Sequence, residues 1–264
     1  MLKLSDKLII KKLKKEILEI CFNAKEGHLG SSFSILDILY VLYTHVLDIT
    51  PNKKNSNKRD YFILSKGHAS LAHAAVLYEK NFIKLKELRS YCSYDSILGG
   101  HLDRKKVNGV EVSSGSLGHG ISIAVGIALG LKIKKIQNKV FVVVGDGEIN
   151  EGTFWESLLI ASNKNLNNLC CIVDYNRSND LSIKLDPLKH KLDSFGFTVL
   201  EIDGHCHEEI RNATMFFRKT SEKPTIVLAN TIKGKGVRVM ENNPEWHHKS
   251  PNIDELNKMI KELS

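Results

Sequence analysis

Short apolar runs alternate with helical stretches between residues 139 and 229, and this pattern limits the fold more than any other feature of the chain. The runs are rich in aliphatic residues and span 139–144, 169–173, 197–202 and 225–229. Residues with helical apolar spacing lie between them, over 153–163 and 208–219. Such runs are typical of strands buried on both faces, and their alternation with helices predicts a parallel sheet. We therefore expect an α/β fold, a three-layer doubly wound parallel sheet with helices on both faces.

The rest of the chain has helical patterns. Apolar spacing predicts helices over 4–25, 33–46, 69–79, 84–90 and 118–133. The last of these is rich in Ala and Gly, which suits close packing. No internal repeat, low-complexity linker or Pro-rich hinge interrupts the sequence. We expect a single domain over residues 1–264, with an N-terminal helical extension.

The formal net charge of +8 raises the question of nucleic-acid binding. Six Lys and one acidic residue among the first 15 residues account for most of this charge, which is typical of a solvated helix face. Lys outnumbers Arg by 31 to 7, whereas bidentate recognition of phosphate favours Arg. The charge pattern therefore argues against nucleic acid as a partner and leaves a nucleic-acid-binding module as a minor alternative.

The composition also bears on the cellular compartment. No run approaches the roughly 20 apolar residues that a membrane helix needs, and the lysine-rich N-terminus lacks the apolar core of a secretory signal. The five Cys are odd in number and include no Cys-x-x-Cys pair. This usage is typical of reduced, buried thiols, so we expect a cytoplasmic protein without membrane contact.

Histidine placement is unusual in this chain. Five of the eleven His directly follow a Gly, where random placement predicts fewer than one such pair. A Gly permits tight turns and close backbone approach, so these imidazoles are expected on loops, where functional groups are often held. His205 and His207 resemble a pair of metal ligands, but the sequence offers no further ligand cluster beside them. The five His are His28, His68, His101, His119 and His205.

Two predicted strands end in residues that suit a divalent cation. Asp146 lies between Gly145 and Gly147 after one strand, and Asn176 follows the next. Mg²⁺ prefers hard oxygen ligands and commonly combines one or two carboxylates with phosphate oxygens. Because neighbouring parallel strands end at the same edge of a sheet, the two side chains are expected to converge. The simpler alternative is a turn Asp and a turn Asn.

The segment Gly145-Asp146-Gly147 together with Asn176 resembles the thiamine-diphosphate-binding motif. Further segments resemble the transketolase family in their order and spacing, across nearly the whole chain. They are Gly27-His28-Leu29-Gly30, Ser65-Lys66-Gly67-His68-Ala69, Gly100-His101-Leu102-Asp103, Gly115-Ser116-Leu117-Gly118-His119-Gly120, Lys233-Gly234-Lys235-Gly236-Val237 and Glu245-Trp246-His247. The chain is similar to the N-terminal, diphosphate-binding subunit of transketolases that are split over two genes.

The resemblance implies a role for each matching residue. Asp146 and Asn176 would ligate Mg²⁺ through their side chains, and Ser178 through its backbone carbonyl. The catalytic residues implied are His28, His68, His101 and His247. The residues implied to bind thiamine diphosphate are His68, Gly115, Ser116, Leu117, Gly147, Glu151, Asn176 and His247.

The family pattern is more specific for some of these residues. It implies that the backbone N–H of Gly147 and the imidazole of His68 reach the diphosphate. His28 would lie near the reacting carbons, and His101 would bond the terminal hydroxyl of the donor sugar. Glu151 resembles the acidic residue that links two sites across the subunit interface.

The chain departs from the family pattern in three respects. His119 stands where transketolases usually have Gln, and Leu29 and Leu102 stand where many have Pro. His248 replaces the Gly that often follows the late His, so His247 and His248 are alternatives for that role. The Trp directly before His247 favours that residue.

The resemblance implies an enzyme that moves a two-carbon ketol unit from a ketose phosphate to an aldose phosphate, in the pentose phosphate pathway or a specialised sugar pathway. The family activates its cofactor with a Glu and an aromatic pocket on a following domain, and nothing in this sequence resembles that domain. We therefore expect an α₂β₂ heterotetramer with a separately encoded pyrimidine-binding subunit, and no activity of this chain alone.

Two other functions share parts of this pattern. One is half of a 1-deoxyxylulose-phosphate synthase, although residues 65–68 and 100–103 favour a transketolase. The other is a non-enzymatic relative that keeps the fold. The intact Asp146 and Asn176, together with the Gly-His pairs, argue against that relative.

Overall fold

A five-stranded parallel sheet forms the centre of the described protein, in the strand order β1-β2-β3-β5-β4. The computed structural model describes residues 4–53, 56, 58–220 and 222–264. The strands are β1 (Tyr61–Leu64), β2 (Val140–Gly145), β3 (Leu169–Tyr175), β4 (Thr198–Asp203) and β5 (Thr225–Asn230). The predicted α/β class and parallel sheet are confirmed.

Helices cover both faces of this sheet. They are α1 (Leu4–Ala24), α2 (Leu29–Val41), α3 (Ser70–Glu79), α4 (Leu85–Arg89), α5 (His119–Ile133), α6 (Gly152–Asn163), α7 (Leu188–Ser194), α8 (His207–Thr220) and α9 (Ile253–Glu262). Side chains of β2 alternate between two buried clusters: Phe141 and Val143 face α1, α2, α3, α8 and α9, while Val142 and Val144 face α5, α6 and α7. The molecule thus has the three predicted layers.

Three elements, β1, α7 and α9, were not predicted from the sequence. Strand β1 has only four residues, too few to show a periodic pattern. Helix α7 has seven residues, and α9 is a ten-residue helix near the end of the chain. A capping box starts α9, in which Asn252 accepts from the Glu255 N–H at 2.9 Å and Glu255 accepts from the Asn252 N–H at 2.8 Å.

The predicted helix over 33–46 was wrong at both ends. Helix α2 begins at Leu29, directly after His28, and a π-helical turn replaces the α-helix over Leu42–Val46. The first turn of α2 is rich in small residues and therefore lacks apolar spacing. It packs so closely that a Cβ added at Gly30 would lie 3.1 Å from the Trp246 carbonyl oxygen.

Residues Leu29–Val46 have the length and hydropathy of a membrane span, but 89% of that window is buried within the described molecule. Helix α2 is thus packed as a core helix. Its neighbour α1 also contributes fully buried side chains to the same cluster, including Leu13 and Ile17.

The expected solvated lysine face of α1 needs one correction. Lys7, Lys11 and Lys12 are exposed, but Lys14 is buried and donates to the Lys235 carbonyl at 2.8 Å. Burial lowers the pKa of Lys14. Lys3 lies outside the described residues.

All five thiols are free. Burial of Cys21, Cys170 and Cys171 agrees with the sequence analysis, whereas Cys92 and Cys206 are only half-buried. The expectation of uniformly buried thiols was therefore wrong for two of the five.

Candidate active site

The carboxyl ends of four strands deliver polar side chains to one edge of the sheet. Asp146 directly follows β2 and Asn176 directly follows β3, and both side chains are buried. Lys66 lies two residues beyond β1, and Thr231 directly follows β5. The parallel topology brings these four segments side by side, as the strand-end argument predicted.

Asp174, the penultimate residue of β3, is the centre of this polar group. Its side chain is fully buried and accepts hydrogen bonds from Ser34 Oγ at 2.7 Å and Asn176 Nδ2 at 3.1 Å. It also accepts from Thr231 Oγ1 and forms an ion pair with the buried Lys66 ammonium. A buried carboxylate is tolerated only when it is paired and hydrogen-bonded, and Asp174 meets both conditions.

Asp146 and Asn176 meet at a single turn. The amide oxygen of Asn176 accepts from the Ser178 N–H at 3.0 Å, and Asp146 accepts from the Asn179 N–H at 3.3 Å. Asp146 also accepts from the Gly147 N–H at 2.8 Å. Burial raises the pKa of Asp146, and the nearby negative charge of Asp174 adds to this effect. A carboxylate and an amide oxygen that converge in a buried site suit a hard divalent cation, whose charge would offset that repulsion.

Open space adjoins the Cα atom of Gly147, the residue after Asp146. A Cβ added at Gly147 would meet only Asn179 Oδ1, at 3.9 Å. The Gly147 backbone is therefore accessible from the site, as a group that approaches a phosphate must be.

Three histidines from distant parts of the sequence form a ring cluster: His28, His68 and His247. The ring centroids are 5.3 Å apart for His28 and His68, 5.4 Å for His28 and His247, and 5.7 Å for His68 and His247. Burial lowers the pKa of His28 to about 4 and that of His68 to about 2, so both rings are neutral at pH 7. Neutral imidazoles can accept a proton or a hydrogen bond, but the burial that removes their charge also makes both rings weaker bases than a free imidazole.

Lys233 connects the ring cluster to the polar group. Its buried ammonium donates to His247 Nδ1 at 2.8 Å. Burial lowers the pKa of His247, and the charge of Lys233 lowers it further. Burial and the charge of Lys66 likewise lower the pKa of Lys233. Two buried lysines therefore bring positive charge to the edge of the sheet that carries Asp146.

His101 and Gly115 lie against each other beside this cluster. A Cβ at Gly115 would stand 2.9 Å from His101 Cδ2, and a Cβ at Gly67 would stand 2.9 Å from the Gly115 backbone nitrogen. His101 is exposed and lines an open cleft with residues 113–116. Ser116 and Leu117 are also exposed, so this part of the site faces solvent.

The alternatives His247 and His248 are placed differently. His247 contacts both other rings of the cluster and Lys233, as described above. The His248 ring centroid lies 4.6 Å from that of His28, and its Nε2 atom is 2.7 Å from Glu26 Oε1. Contact with two cluster rings and a buried lysine favours His247 as the late active-site histidine.

Glu151 and Gly118 lie on the α5–α6 side of the site. The Glu151 side chain is exposed at the N-terminus of α6. Gly118 has φ +78°, and a Cβ there would stand 2.8 Å from Glu151 Cβ. Only a glycine fits this close approach without strain.

Several residues of this site were missed from sequence. Lys66 and Lys233 lie in motifs that the resemblance identified, but no role was assigned to either side chain. A charged residue inside an apolar strand is buried only if it is paired with another polar or charged group. Asp174 is such a residue, so its role could have been suspected from the sequence. Glu148 is buried and accepts from the N–H groups of Gly118 at 2.9 Å and Gly145 at 3.2 Å. Burial raises the pKa of Glu148.

The remaining two Gly-His residues lie outside the ring cluster. His119 is exposed at the start of α5. His205 and His207 both bond Asp37 of α2, at 3.1 Å and 2.8 Å. Burial opposes ionisation of Asp37, but these bonds outweigh it and hold its pKa well below its usual range. His205 also accepts from the Ile232 N–H at 2.9 Å, so the pair ties α2 to the segment after β5.

Comparison with known proteins adds to this geometry. Residues 5–264 match the family described as "Transketolase, thiamine diphosphate binding domain". The chain is 35% identical over 258 residues to an apulose-4-phosphate transketolase subunit of Phocaeicola vulgatus, and the match covers 96% of this chain and 92% of that protein. It is 34% identical over 242 residues to the 6-deoxy-6-sulfo-D-fructose transketolase subunit SqwG of a Clostridium species, with 89% and 88% covered.

A solved structure agrees with the fold. The transketolase of Campylobacter jejuni matches with a TM-score of 0.88 and 28% identity, over 97% of this chain and 42% of that one. The family match spans nearly the whole chain and confirms the resemblance that the motifs carried. This chain belongs to the transketolase family and carries its thiamine-diphosphate-binding domain.

Proposed function

We propose that the chain is the diphosphate-binding subunit of a split, Mg²⁺-dependent transketolase of the cytoplasm. It transfers a two-carbon ketol unit from a ketose phosphate to an aldose phosphate, together with a separately encoded pyrimidine-binding subunit. The observation that carries the proposal is the meeting of Asp146 and Asn176 at one turn, at the edge of the sheet where Lys233 reaches the neutral ring cluster.

The donor set fits the cofactor and its metal. Asp146, Asn176 and the Ser178 carbonyl would hold Mg²⁺, since all three offer hard oxygen atoms. The accessible Gly147 backbone and the positive charges of Lys66 and Lys233 suit a diphosphate. Thiamine diphosphate supplies the nucleophilic carbon that breaks the ketose bond and carries the two-carbon unit. Further residues toward the cofactor are His68, Gly115, Ser116, Leu117 and His247.

The chain's own contribution is proton transfer and orientation. Neutral His28 can accept a proton from a sugar hydroxyl and return it, because burial removes its charge at pH 7. His101, exposed in the open cleft, is available to bond a terminal hydroxyl of the donor. Lys233 donates to His247 Nδ1 and so leaves the other ring nitrogen of His247 to face a ligand.

Two observations support a partner subunit. Relatives of nearly the same length are each named as one subunit of a transketolase, whereas the Campylobacter transketolase is more than twice as long as the matched segment. The surface of α5 and α6 also carries exposed apolar side chains, and such side chains mark an interaction site where they form one contiguous patch. They include Ile123, Ile133, Leu159 and Ile160. Glu151 lies on this same side, which fits its expected role as a link across the subunit interface of an α₂β₂ assembly.

Calorimetry with thiamine diphosphate and Mg²⁺ tests the cofactor site. Asp146→Ala should abolish Mg²⁺-dependent binding, because it removes the carboxylate ligand. Asp193→Ala, which alters an exposed Asp on α7, should leave binding unchanged. Retained binding in Asp146→Ala would remove that residue from the metal site.

Activity measurements with the partner subunit test the histidines. His28→Ala and His101→Ala should lower turnover while cofactor binding survives, because both side chains act on the sugar rather than on the diphosphate. Loss of cofactor binding in both variants would count against this assignment. Full ketol transfer by the purified chain alone would refute the requirement for a partner.

The choice of donor separates the remaining enzymatic alternative. A ketose phosphate should serve as donor and pyruvate should not. Turnover of pyruvate instead would favour a 1-deoxyxylulose-phosphate synthase.

A further inference from the structure

Three side chains at the rim of the ring cluster carry donor atoms that suit a transition metal. Glu26 and His28 lie in the loop between α1 and α2, and His248 follows the short turn Pro244–Trp246. One ligand atom from each lies within 4.8 Å of the other two. Throughout the described part of the chain, this is the one group of three or more His, Cys, Asp and Glu side chains with that spacing.

The donor types distinguish this group from the Asp146–Asn176 pair. Two imidazoles and one carboxylate are a set that Zn²⁺ accepts, with a water as fourth ligand, whereas Mg²⁺ prefers oxygen ligands. Tetrahedral bonds of about 2.05 Å place neighbouring ligand atoms about 3.4 Å apart. Ligand atoms that are 4.8 Å apart must therefore move closer together by about 1.4 Å. His248 is exposed and Glu26 is half-buried, so both side chains have room for that movement.

The backbone segments that carry these groups are held together. Trp246 is almost fully buried, and its carbonyl lies against Gly30 in the first turn of α2. On the other side of His248, Ser250 Oγ donates to the Cys21 carbonyl at 2.9 Å. The segment around His248 is thus fixed to the α1–α2 region at two points.

Two of the three donors already face each other. The Glu26–His248 contact of 2.7 Å is the place where a metal ion would displace a shared proton.

We propose that Glu26, His28 and His248 bind a divalent transition-metal ion of the zinc class, at a site separate from Asp146 and Asn176. The ion binds the ring nitrogen of His28 whose lone pair would otherwise accept a proton. Zinc therefore prevents His28 from accepting a proton, a consequence that rests on the proposed function.

Zinc titration of the full chain, without cofactor and in excess Mg²⁺, tests the site. His248→Asn and Glu26→Gln should each weaken Zn²⁺ binding by more than about tenfold, a loss seen even when an outer-shell partner is removed. Glu26→Gln keeps a hydrogen-bond acceptor for His248 and so removes mainly the anionic ligand. Bound Co²⁺ should give the intense visible absorption of a four-coordinate site, and His248→Asn should lose it.

Two matched variants locate the ion. His190→Asn removes an exposed imidazole on α7, and Asp146→Asn alters the proposed Mg²⁺ ligand; neither should change Zn²⁺ affinity. Equal affinity in the parent chain, His248→Asn and Glu26→Gln would show an adventitious ion only and overturn the proposal. Loss of zinc in Asp146→Asn would assign the ion to the other pair and overturn it as well. The titration needs neither cofactor nor partner, so its result is independent of the proposed function.

Discussion

The two halves of the candidate active site are held in different ways. Around Asp174, side chains bond one another: four donors converge on one fully buried carboxylate. Around His28, the rings touch one another at centroid distances of 5.3–5.4 Å, and solvent reaches His101 and His247. The polar groups around Asp174 are hydrogen-bonded to one another. The ring cluster instead presents neutral rings to a ligand that enters the site.

We infer from this difference that the polar group has a structural role and that the ring cluster faces the ligand. A buried network in which every group is hydrogen-bonded rigidifies its surroundings, and removal of one member greatly lowers the stability of the protein. Imidazoles that hold few protein partners keep their nitrogen atoms available for a ligand. The polar group therefore positions Asn176 and Asp146, and the ring cluster holds the groups to which the proposed function assigns proton exchange.

The largest expected effect is on the polar group. Asp174→Ala leaves the Lys66 ammonium buried without its partner and should destabilise the protein by about 3–5 kcal/mol. Urea unfolding measures this loss. Asp48→Ala, which breaks an exposed ion pair with Lys53, should cost less than about 1 kcal/mol. Equal costs for the two variants would contradict the structural duty assigned to Asp174.

Gly147→Ala separates ligand binding from stability. The added methyl group has open space in the structure, so the free energy of unfolding should change little. It occupies the space proposed for the diphosphate, so cofactor affinity should fall by roughly tenfold, about 1.4 kcal/mol. Gly126→Ala, also in open space but on α5, should leave affinity unchanged. Unaltered affinity in Gly147→Ala would place the diphosphate elsewhere.

The ring cluster should make stability depend on pH. His28 and His68 have folded-state pKa values below their usual 6.5, so their contribution is complete above pH 6.5. It is lost as the pH falls, down to about 4 for His28 and about 2 for His68. The double variant His28→Asn/His68→Asn should therefore lose less stability than the parent between pH 6.5 and 4. Because both rings are partly exposed, each should account for less than the about 1.4 kcal/mol per pH unit of a fully buried group.

Comparison with a matched variant isolates this pH effect. Asp146 and Glu148 have raised pKa values and act in the opposite direction over the same range, so the difference between variant and parent is the quantity to measure. Exposed His190→Asn should leave the dependence unchanged. An unchanged dependence in the double variant would show that His28 and His68 of the parent protein take up protons as readily in the folded state as in the unfolded state.

The smallest effect concerns Lys233, which joins the two halves. Lys233→Met removes a positive charge from beside His247 and should raise the pKa of that ring. Titration of the ring by NMR measures the shift. A constant pKa would mean that burial alone controls His247.

The sequence predicted which side chains meet at the strand ends better than it predicted the scaffold that holds them. Asp146 and Asn176 were identified because Gly-Asp-Gly and a strand-end Asn are local patterns, and the parallel topology then requires them to converge. Ser34 and Thr231 could not be identified, because their hydroxyls acquire a role only when distant segments meet at Asp174. Strand β1 was missed because four residues carry no periodicity.

Other omissions had a local signal. The Asn-x-x-Glu spacing at Asn252 marks the start of α9, and a lone charge within an apolar strand marked Asp174. The early start of α2, by contrast, had no local signal in the sequence. Its first turn contains small residues, and Gly30 lies against the Trp246 carbonyl and the Lys233 side chain, contacts that no local pattern encodes.

The bonds to Asp174 also bear on when the site can exist during folding. Ser34 and Lys66 lie 140 and 108 residues before Asp174, and Ser34 and Thr231 are 197 residues apart. Closing loops of this length is entropically costly, so these contacts form only when most of the chain has collapsed. A diphosphate that binds here recognises the finished tertiary structure rather than any fragment of it. Ligand binding would then stabilise the whole domain cooperatively, and a nascent chain would acquire affinity only after its last strand has joined the sheet.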